Sequence, residues 1–454
     1  MAFRKWTIRP VWLAALLLGV MFALALTSLR DEAPTFDEQG FLVRGLAYLR
    51  GEANGGTRNI RVGHPLGLNA LNATLLVNDP AVRLPSDDPS LGLLQILRPD
   101  GTADAARLPA LSVAELQRMY RGMLLIRVMD ERLMGMQRQG RIGFYGEAKG
   151  QEAGVIGMAH ALSDGDWLVP ALREAGAGIY RGLPLRHYIA QIFGNANDVT
   201  QGRQMPCHPG LRAHHYVTMS SCVANQLPGA MGMAWGCKLA HDKAVVVGCM
   251  GDGATSEPDF HYAAHFAGQY ALPLVIFCQN NQWAISTPST VQTAAPTLAC
   301  KALAYGIAGV RVDGNDVFAV YTAVKQAVER ARRGEGATMI ESLTYRVSAH
   351  TSSDDPSRYR DESVTLVWRT ERDPIARFRT WLIAEGHHSE AADEALRAEL
   401  DAEVRAAVAA EEKVGNPPIR SIFTDVYAEL PPHLQEQAAE LEALPRQKSP
   451  HVTH

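Results

Sequence analysis

AVVVGCMGDGATSEPDFHYAAHFAGQYALPLVIFCQNN, residues 244–281, decides the fold. Two apolar runs, 244–250 and 273–278, have strand length, and each ends in a polar turn: Gly251-Asp252-Gly253 after the first, Asn280-Asn281 after the second. Uninterrupted apolar runs of this kind read as strands buried on both faces of a parallel sheet. The helical pattern of 256–270 between them supplies the crossover, so both polar turns emerge at one edge of an open α/β sheet, where such sheets bind ligands. Alone, a GDG is more often a turn and an Asn pair more often a loop or cap. Strand, GDG, helix, strand and NN in this order is a more specific signal.

The chemistry of that edge follows from the residue types. A carboxylate at Asp252 and an amide oxygen at Asn281 both suit one hard cation, and the backbone carbonyl of Trp283 offers a third oxygen. Gly251 and Gly253 permit a tight turn and a close approach to a diphosphate, and a helix opening near Ser256 would aim its first N–H groups at those anions. The expectation is a site for a metal-bound diphosphate. Ser256 stands where a G-x-G-x-x-G fingerprint needs its third glycine, which disfavours a nicotinamide cofactor.

The surrounding pattern extends the same architecture. Apolar strands at 308–312 and 338–343 alternate with helical patterns at 316–333 and 368–385, which predicts an α/β fold: a doubly wound, mostly parallel sheet with helices on both faces. A strand-like LLQILRPDG precedes a long helix over 112–139, opened by the capping box Ser112 and Glu115. Its Leu116, Tyr120, Met123, Ile126, Met129, Leu133 and Met136 recur at helical spacing and read as core. The Ala/Glu-rich 389–413 reads as an exposed helix. The chain has 454 residues, 47% hydrophobic and 20% charged, enough for a large core in one big or two ordinary domains. A net charge of −4 leaves no footprint for nucleic acid. The six cysteines form no C-x-x-C pair and read as reduced thiols.

At the GDG and NN turns the chain resembles thiamine-diphosphate enzymes, whose binding motif has this form. From about residue 91 to 432 it is similar to the alpha subunit of the decarboxylating component of branched-chain 2-oxo acid dehydrogenase complexes. GRIGFYGEAKGQEA (140–153), PALREAG (170–176), GRQMP (202–206), SSCVANQLP (220–228), GDGATSE (251–257), NNQWAISTP (280–288) and YRVSAHTSSDDPSRYR (345–360) carry the resemblance, in the family's order.

That resemblance implies thiamine diphosphate with Mg²⁺ held by Asp252, Asn281 and Trp283. Arg173, Ser221, Val223, Gly251, Asp252, Gly253, Ala254, Asn281 and His350 then fall at cofactor-contacting positions. Arg173 would grip the diphosphate, and Val223 would press on the cofactor rings as an apolar wedge. Ser220, Cys222, Asn225 and Gln226 match positions that hold K⁺ in some relatives; a loop ordered by its own hydrogen bonds is the alternative. His350 matches the acid–base group, with Asp354 and Tyr359 ordering its loop, and Phe144 and Tyr145 match the wall of the substrate pocket. Thr351 matches a serine phosphorylated in animal relatives, and nothing in the sequence indicates a kinase. The chain departs from the family at Leu172, commonly tyrosine, and at Gln279, where some members carry a phosphate-binding arginine.

The activity implied is oxidative decarboxylation of branched-chain 2-oxo acids with reductive acylation of a lipoyl domain. The partners implied are a beta subunit in an α2β2 heterotetramer, the acyltransferase core and the small 2-oxo acid itself. No matched motif supplies the glutamate that activates the cofactor, which in the family comes from the beta subunit. Pyruvate or acetoin enzymes are the alternative within the class, and a non-catalytic cofactor-binding scaffold the alternative outside it.

Residues 1–90 read differently. VWLAALLLGVMFALALTSL, 11–29, is free of charge, preceded by Arg4, Lys5 and Arg9, and long enough to span a bilayer. The stretch after it faintly resembles the N-terminus of membrane glycosyltransferases, and a fragment of such an enzyme is a further alternative for this region. The positive-inside rule would send the remainder across the membrane, where an enzyme serving a cytoplasmic complex has no work. The catalytic part is therefore expected in the cytoplasm. A fused or misassigned reading frame and a real membrane tether both explain the first 90 residues, and the former is favoured. Residues 51–58 and 79–90 read as linker, and 433–454 as a C-terminal tail, disordered from 445.

Overall fold

The computed structural model describes residues 92–445 apart from Asp425. The candidate membrane segment 11–29, the linkers before residue 91 and the last residues of the tail lie outside them. Among the described residues no helix is long and apolar enough to cross a membrane.

The strands are β1 (Leu93–Leu94), β2 (Trp167–Val169), β3 (Val246–Gly251), β4 (Leu274–Asn280), β5 (Trp283–Ala284), β6 (Thr287–Pro288), β7 (Ala308–Asp313) and β8 (Thr338–Leu343). Six of them form one sheet in the order β1-β7-β8-β4-β3-β2, every pair parallel, while β5 and β6 form a small antiparallel hairpin. The helices are α1 (Val113–Arg138), α2 (Glu152–His160), α3 (Ala175–Tyr180), α4 (Leu185–Phe193), α5 (Gln226–Leu239), α6 (Pro258–Gln269), α7 (Ser289–Gln292), α8 (Val317–Arg332), α9 (Glu362–Thr370), α10 (Pro374–Ala384), α11 (Glu390–Glu411) and α12 (Pro432–Ala443).

The strand sequences build two cores by their period of two. Val245, Val247 and Cys249 with Val275 and Phe277 face a core shared with α1, α2 and α8. Val246 and Met250 with Leu274, Ile276 and Cys278 face a second core shared with α5 and α6. Both faces are covered, as the unbroken apolar runs require. All seven periodic positions of α1 are buried, and its capping box is formed as expected.

Three expectations are corrected. A 3₁₀ turn, Asp252–Ser256, separates β3 from α6, which starts only at Pro258, a residue suited to a first helical turn. The helix expected over 368–385 is two helices, because Pro374 cannot continue α9 and instead opens α10 behind the cap of Asp373. The helix expected to be exposed, α11, buries Leu400, Val404, Ala407 and Val408 in the first core. Their spacing of three and four residues is an amphipathic stripe that the Ala/Glu composition masks. The tail opens with a helix, α12.

Candidate functional site

The register of the sheet places Gly251 of β3 beside Gln279 of β4, so the GDG and NN turns leave adjacent strands at the same edge. Asp252 is buried at the end of β3. Its Oδ2 accepts from Gln292 Nε2 at 2.8 Å, while Oδ1 is buried with no hydrogen-bond partner among the described residues. Burial pushes the carboxyl up to about 6, against the hydrogen bond from Gln292, which favours the charged form. Asn281 follows β4: its Nδ2 donates to Gln151 Oε1 at 3.2 Å, and its Oδ1 accepts from the Trp283 amide at 3.2 Å.

The Trp283 carbonyl is presented by a contorted turn. Gln282 and Ile285, on either side, have φ of +69° and +54°. A positive φ is costly for a β-branched residue such as Ile285, on the order of 1–3 kcal/mol. Arg346 holds this turn, donating to the Ile285 carbonyl at 2.6 Å and to that of Trp283 at 3.4 Å. Gly253 serves packing against the same turn, since a Cβ there would come within 2.6 Å of Ala284 Cβ. A Cβ at Gly251 would meet nothing within 4 Å, so the edge beside this residue is open.

Arg173 is buried, and its guanidinium donates to the Glu147 carbonyl and, at 2.9 Å, to the His350 carbonyl. It thereby ties the loop of Phe144 and Tyr145 to the loop of His350. Ser352 strengthens the junction, its amide donating to the Tyr145 carbonyl at 2.9 Å and its Oγ accepting from the Tyr145 amide at 3.2 Å. The Tyr145 ring is in the core with its hydroxyl on Asp130 at 2.7 Å, whereas Phe144 is half-buried. In the histidine loop, Asp354 Oδ2 accepts from the His350 amide at 2.7 Å and from the Tyr359 hydroxyl at 2.5 Å, and Arg346 donates to that hydroxyl at 2.6 Å. His350 is thus set on a loop braced at both its amide and its carbonyl. Thr351 is buried, its Oγ1 accepting from the Ser353 amide at 3.3 Å.

The 220–226 loop has a different character. Ser221, Cys222, Val223 and Asn225 are exposed, and Val223, at 58%, is among the more exposed large apolar residues described. Ser220 Oγ donates to Asn225 Oδ1 at 3.2 Å, and Ser221 Oγ contacts His208 Nε2. Gln226 donates to the Cys249 carbonyl at 2.7 Å and leaves Oε1 buried with no partner among the described residues. Ala254 is buried in the second core. Leu172 is half-buried, and Gln279 turns its amide to the buried carboxyl of Glu174, which also accepts from the Ala171 amide at 2.8 Å.

Sequence reasoning missed Gln292, Gln151, Glu174 and His208, the residues that hold the candidate ligands in place. Gln292 is 40 residues from Asp252, and no local pattern marks it. PALREAG, read for its arginine, could have drawn attention to Glu174 as well. The donors gathered at the sheet edge are oxygens; among the described residues no group of three or more His, Cys, Asp or Glu side chains forms a metal cluster. Orphaned Asp252 Oδ1, with Asn281 Oδ1 and the Trp283 carbonyl on the adjoining turn, fits a hard divalent cation and the anion it would neutralise.

Comparison with known proteins places the chain in a family. The dehydrogenase E1 component family model matches residues 120–420. The 2-oxoisovalerate dehydrogenase subunit alpha 2, mitochondrial, of Arabidopsis thaliana is 41% identical over 320 residues, 70% of this chain and 68% of the relative. The mitochondrial subunit alpha of Homo sapiens is 40% identical over 333 residues, 73% and 75% of the two chains. That of Dictyostelium discoideum is 41% identical over 334 residues, 73% and 76%.

Proposed function

Because this chain belongs to the dehydrogenase E1 component family, we infer that it is the alpha subunit of a thiamine-diphosphate-dependent branched-chain 2-oxo acid dehydrogenase, working with a beta subunit. The observation that carries the reading is the buried, half-satisfied carboxylate of Asp252 at the same sheet edge as Asn281 and the Trp283 carbonyl. These three would hold Mg²⁺, and Arg173, buried just beyond the end of the neighbouring β2, would add positive charge for a diphosphate. When bound, thiamine diphosphate supplies the nucleophilic carbon and the electron sink for loss of CO₂ from a 2-oxo acid.

The chain's own residues contribute placement and protons. Arg173 keeps the Phe144 loop and the His350 loop in fixed relation, so a change in one is felt in the other. Phe144 would line the substrate pocket; Tyr145, anchored on Asp130, would support that wall from behind. Val223 would press on the cofactor, and Ser221 and Ala254 would lie along it. A K⁺ held around Ser220, Cys222, Asn225 and Gln226 would order the loop that carries Val223. His350 would hold and deliver a proton during acyl transfer to a lipoyl domain.

Two observations support a beta partner. The buried glutamates near the site are committed: Glu174 to Ala171 and Gln279, Glu341 to Asn280 at 2.7 Å and Ala299 at 2.9 Å, Glu152 to Arg127 at 2.6 Å. With these three engaged, a carboxylate from another chain is the natural source of cofactor activation. The outer face of α5 also carries Gly229, Gly232 and Gly236, where an added Cβ would meet nothing within 4 Å. Beside it Trp235 stacks on Tyr270 at 4.4 Å, and Leu239 and Tyr262 are exposed. A glycine-floored, aromatic-rimmed helix face suits close packing of another helix, and the beta subunit is the occupant proposed.

His350→Ala tests the chemical assignment. With the beta subunit present, the variant is expected to bind thiamine diphosphate as the wild type does, yet to acylate a lipoyl domain more slowly by on the order of 10²–10⁴-fold. Acyl transfer at the wild-type rate would reduce His350 to a loop-ordering residue.

A further inference from the structure

We propose that Gln292 sets the divalent-cation preference of this site by keeping Asp252 a one-oxygen ligand, which rests on the reading of Asp252 as the metal-binding carboxylate. Gln292 ends α7, just after the β5–β6 hairpin, and its Nε2 lies 2.8 Å from Asp252 Oδ2 and 3.3 Å from the Thr287 carbonyl. Both amide hydrogens therefore have acceptors, one of them the carboxylate. The segment that carries Gln292 is itself fixed: the Ser289 amide donates to the Gln282 carbonyl at 2.9 Å, and Ser256 Oγ donates to the Gln292 carbonyl at 3.5 Å. Oδ2 is thus engaged from the hairpin side, and Oδ1, buried and without a partner among the described residues, is the better-placed oxygen for a cation.

The consequence is a choice between ions. Mg²⁺ demands a tight, near-ideal octahedron, which a carboxylate enters through one oxygen, whereas Ca²⁺ takes more ligands in looser geometry and readily uses both oxygens of one carboxylate. A hydrogen bond from Gln292 takes one lone pair of Oδ2, lowers the donor strength of that oxygen and holds the carboxylate plane, so ligation through both oxygens is disfavoured relative to ligation through Oδ1 alone. Gln292 thereby favours Mg²⁺ twice: it fixes the angle of Oδ1 and makes the second oxygen a weaker ligand for a larger ion. It touches the ligand and not the cation, which makes it a positioning residue.

The test is calorimetry of thiamine diphosphate binding to the full-length chain copurified with its beta subunit, at saturating Mg²⁺ or saturating Ca²⁺. The near-isosteric Gln292→Met removes the donor, and Gln292→Asn, which shortens its reach, serves if the first variant does not fold by circular dichroism. Mg²⁺-supported affinity is expected to fall about 10–100-fold, the usual effect of removing a group that orients a ligand. Ca²⁺-supported affinity should fall less or rise, moving the ratio toward Ca²⁺ by about tenfold or more. An unchanged ratio in a folded variant would overturn the inference. Asp252→Asn separates the two levels: if it retains metal-dependent cofactor binding, the metal reading itself fails, and if it loses binding with both ions while Gln292→Met leaves the ratio unmoved, only the role of Gln292 fails.

Discussion

The Asp252 carboxyl sits at the end of β3 with one oxygen bonded and one not, and burial raises it from 3.8 to about 6. A raised carboxyl opposes folding once it ionises. Below 3.8 both folded and unfolded chains are protonated and there is no cost. Between 3.8 and about 6 the unfolded chain ionises first, and above about 6 the folded chain carries the full cost, about 3 kcal/mol. Asp252→Asn keeps an oxygen for Gln292 and removes the charge. In the absence of metal and cofactor, urea denaturation should find this variant more stable than wild type at about pH 8, by up to about 3 kcal/mol, with the gap closing toward about pH 4. The same variant should lose Mg²⁺-dependent cofactor binding. A variant less stable than wild type in the alkaline range would contradict the unpaired carboxylate. The candidate ligand residues were legible because GDG and NN are local signals set by a strand edge. Gln292 and Gln151 were not, since their roles arise only when distant segments fold against each other, and an isolated glutamine carries no mark of its partner.

Among the elements, α5 is the helix on which the proposed beta-subunit contact rests. Its inner residues, Leu227, Ala230 and Ala234, are packed in the second core, and Ala230 comes within 3.0 Å of where a Cβ on Gly248 would lie. Its outer glycines weaken the helix by roughly 0.5–1 kcal/mol each relative to alanine, with no close contact to require them. Gly232→Ala should therefore raise the melting temperature of the isolated chain slightly. Gly232→Leu should leave the isolated chain folded but prevent coelution with the beta subunit in size-exclusion chromatography; coelution with full occupancy would place the partner elsewhere. The elements legible from sequence were those with uniform burial. The strands β3, β4 and β8 and the capped α1 announced themselves by period and length. The three-residue β2 and short α3 did not, because their positions are set by neighbours already in place. Pro374 was a visible stop inside the expected 368–385 helix, and the stripe on α11 a visible face; composition obscured both.

At the scale of the whole molecule, an all-parallel sheet covered on both faces puts the GDG and NN turns at one edge, ties the histidine loop to the Phe144 loop through Arg173, and leaves α5 with an outward face. That combination is what the proposed reading requires of a chain that holds a cofactor and works beside another subunit. The fold class was readable because the alternation of strand and helix runs through most of 91–432. The substrate's exact shape was not, since Phe144 would be only one wall of the proposed pocket and a methylene in such a pocket is worth only roughly 1–3 kcal/mol. The most direct test of the branched-chain assignment is thiamine-diphosphate-dependent decarboxylation by the full-length chain, alone and reconstituted with its beta subunit, comparing 3-methyl-2-oxobutanoate with pyruvate. No turnover is expected from the chain alone, and reconstitution should give turnover with a higher kcat/KM for the branched acid. Turnover without the beta subunit, or a reconstituted enzyme that prefers pyruvate, would contradict the assignment.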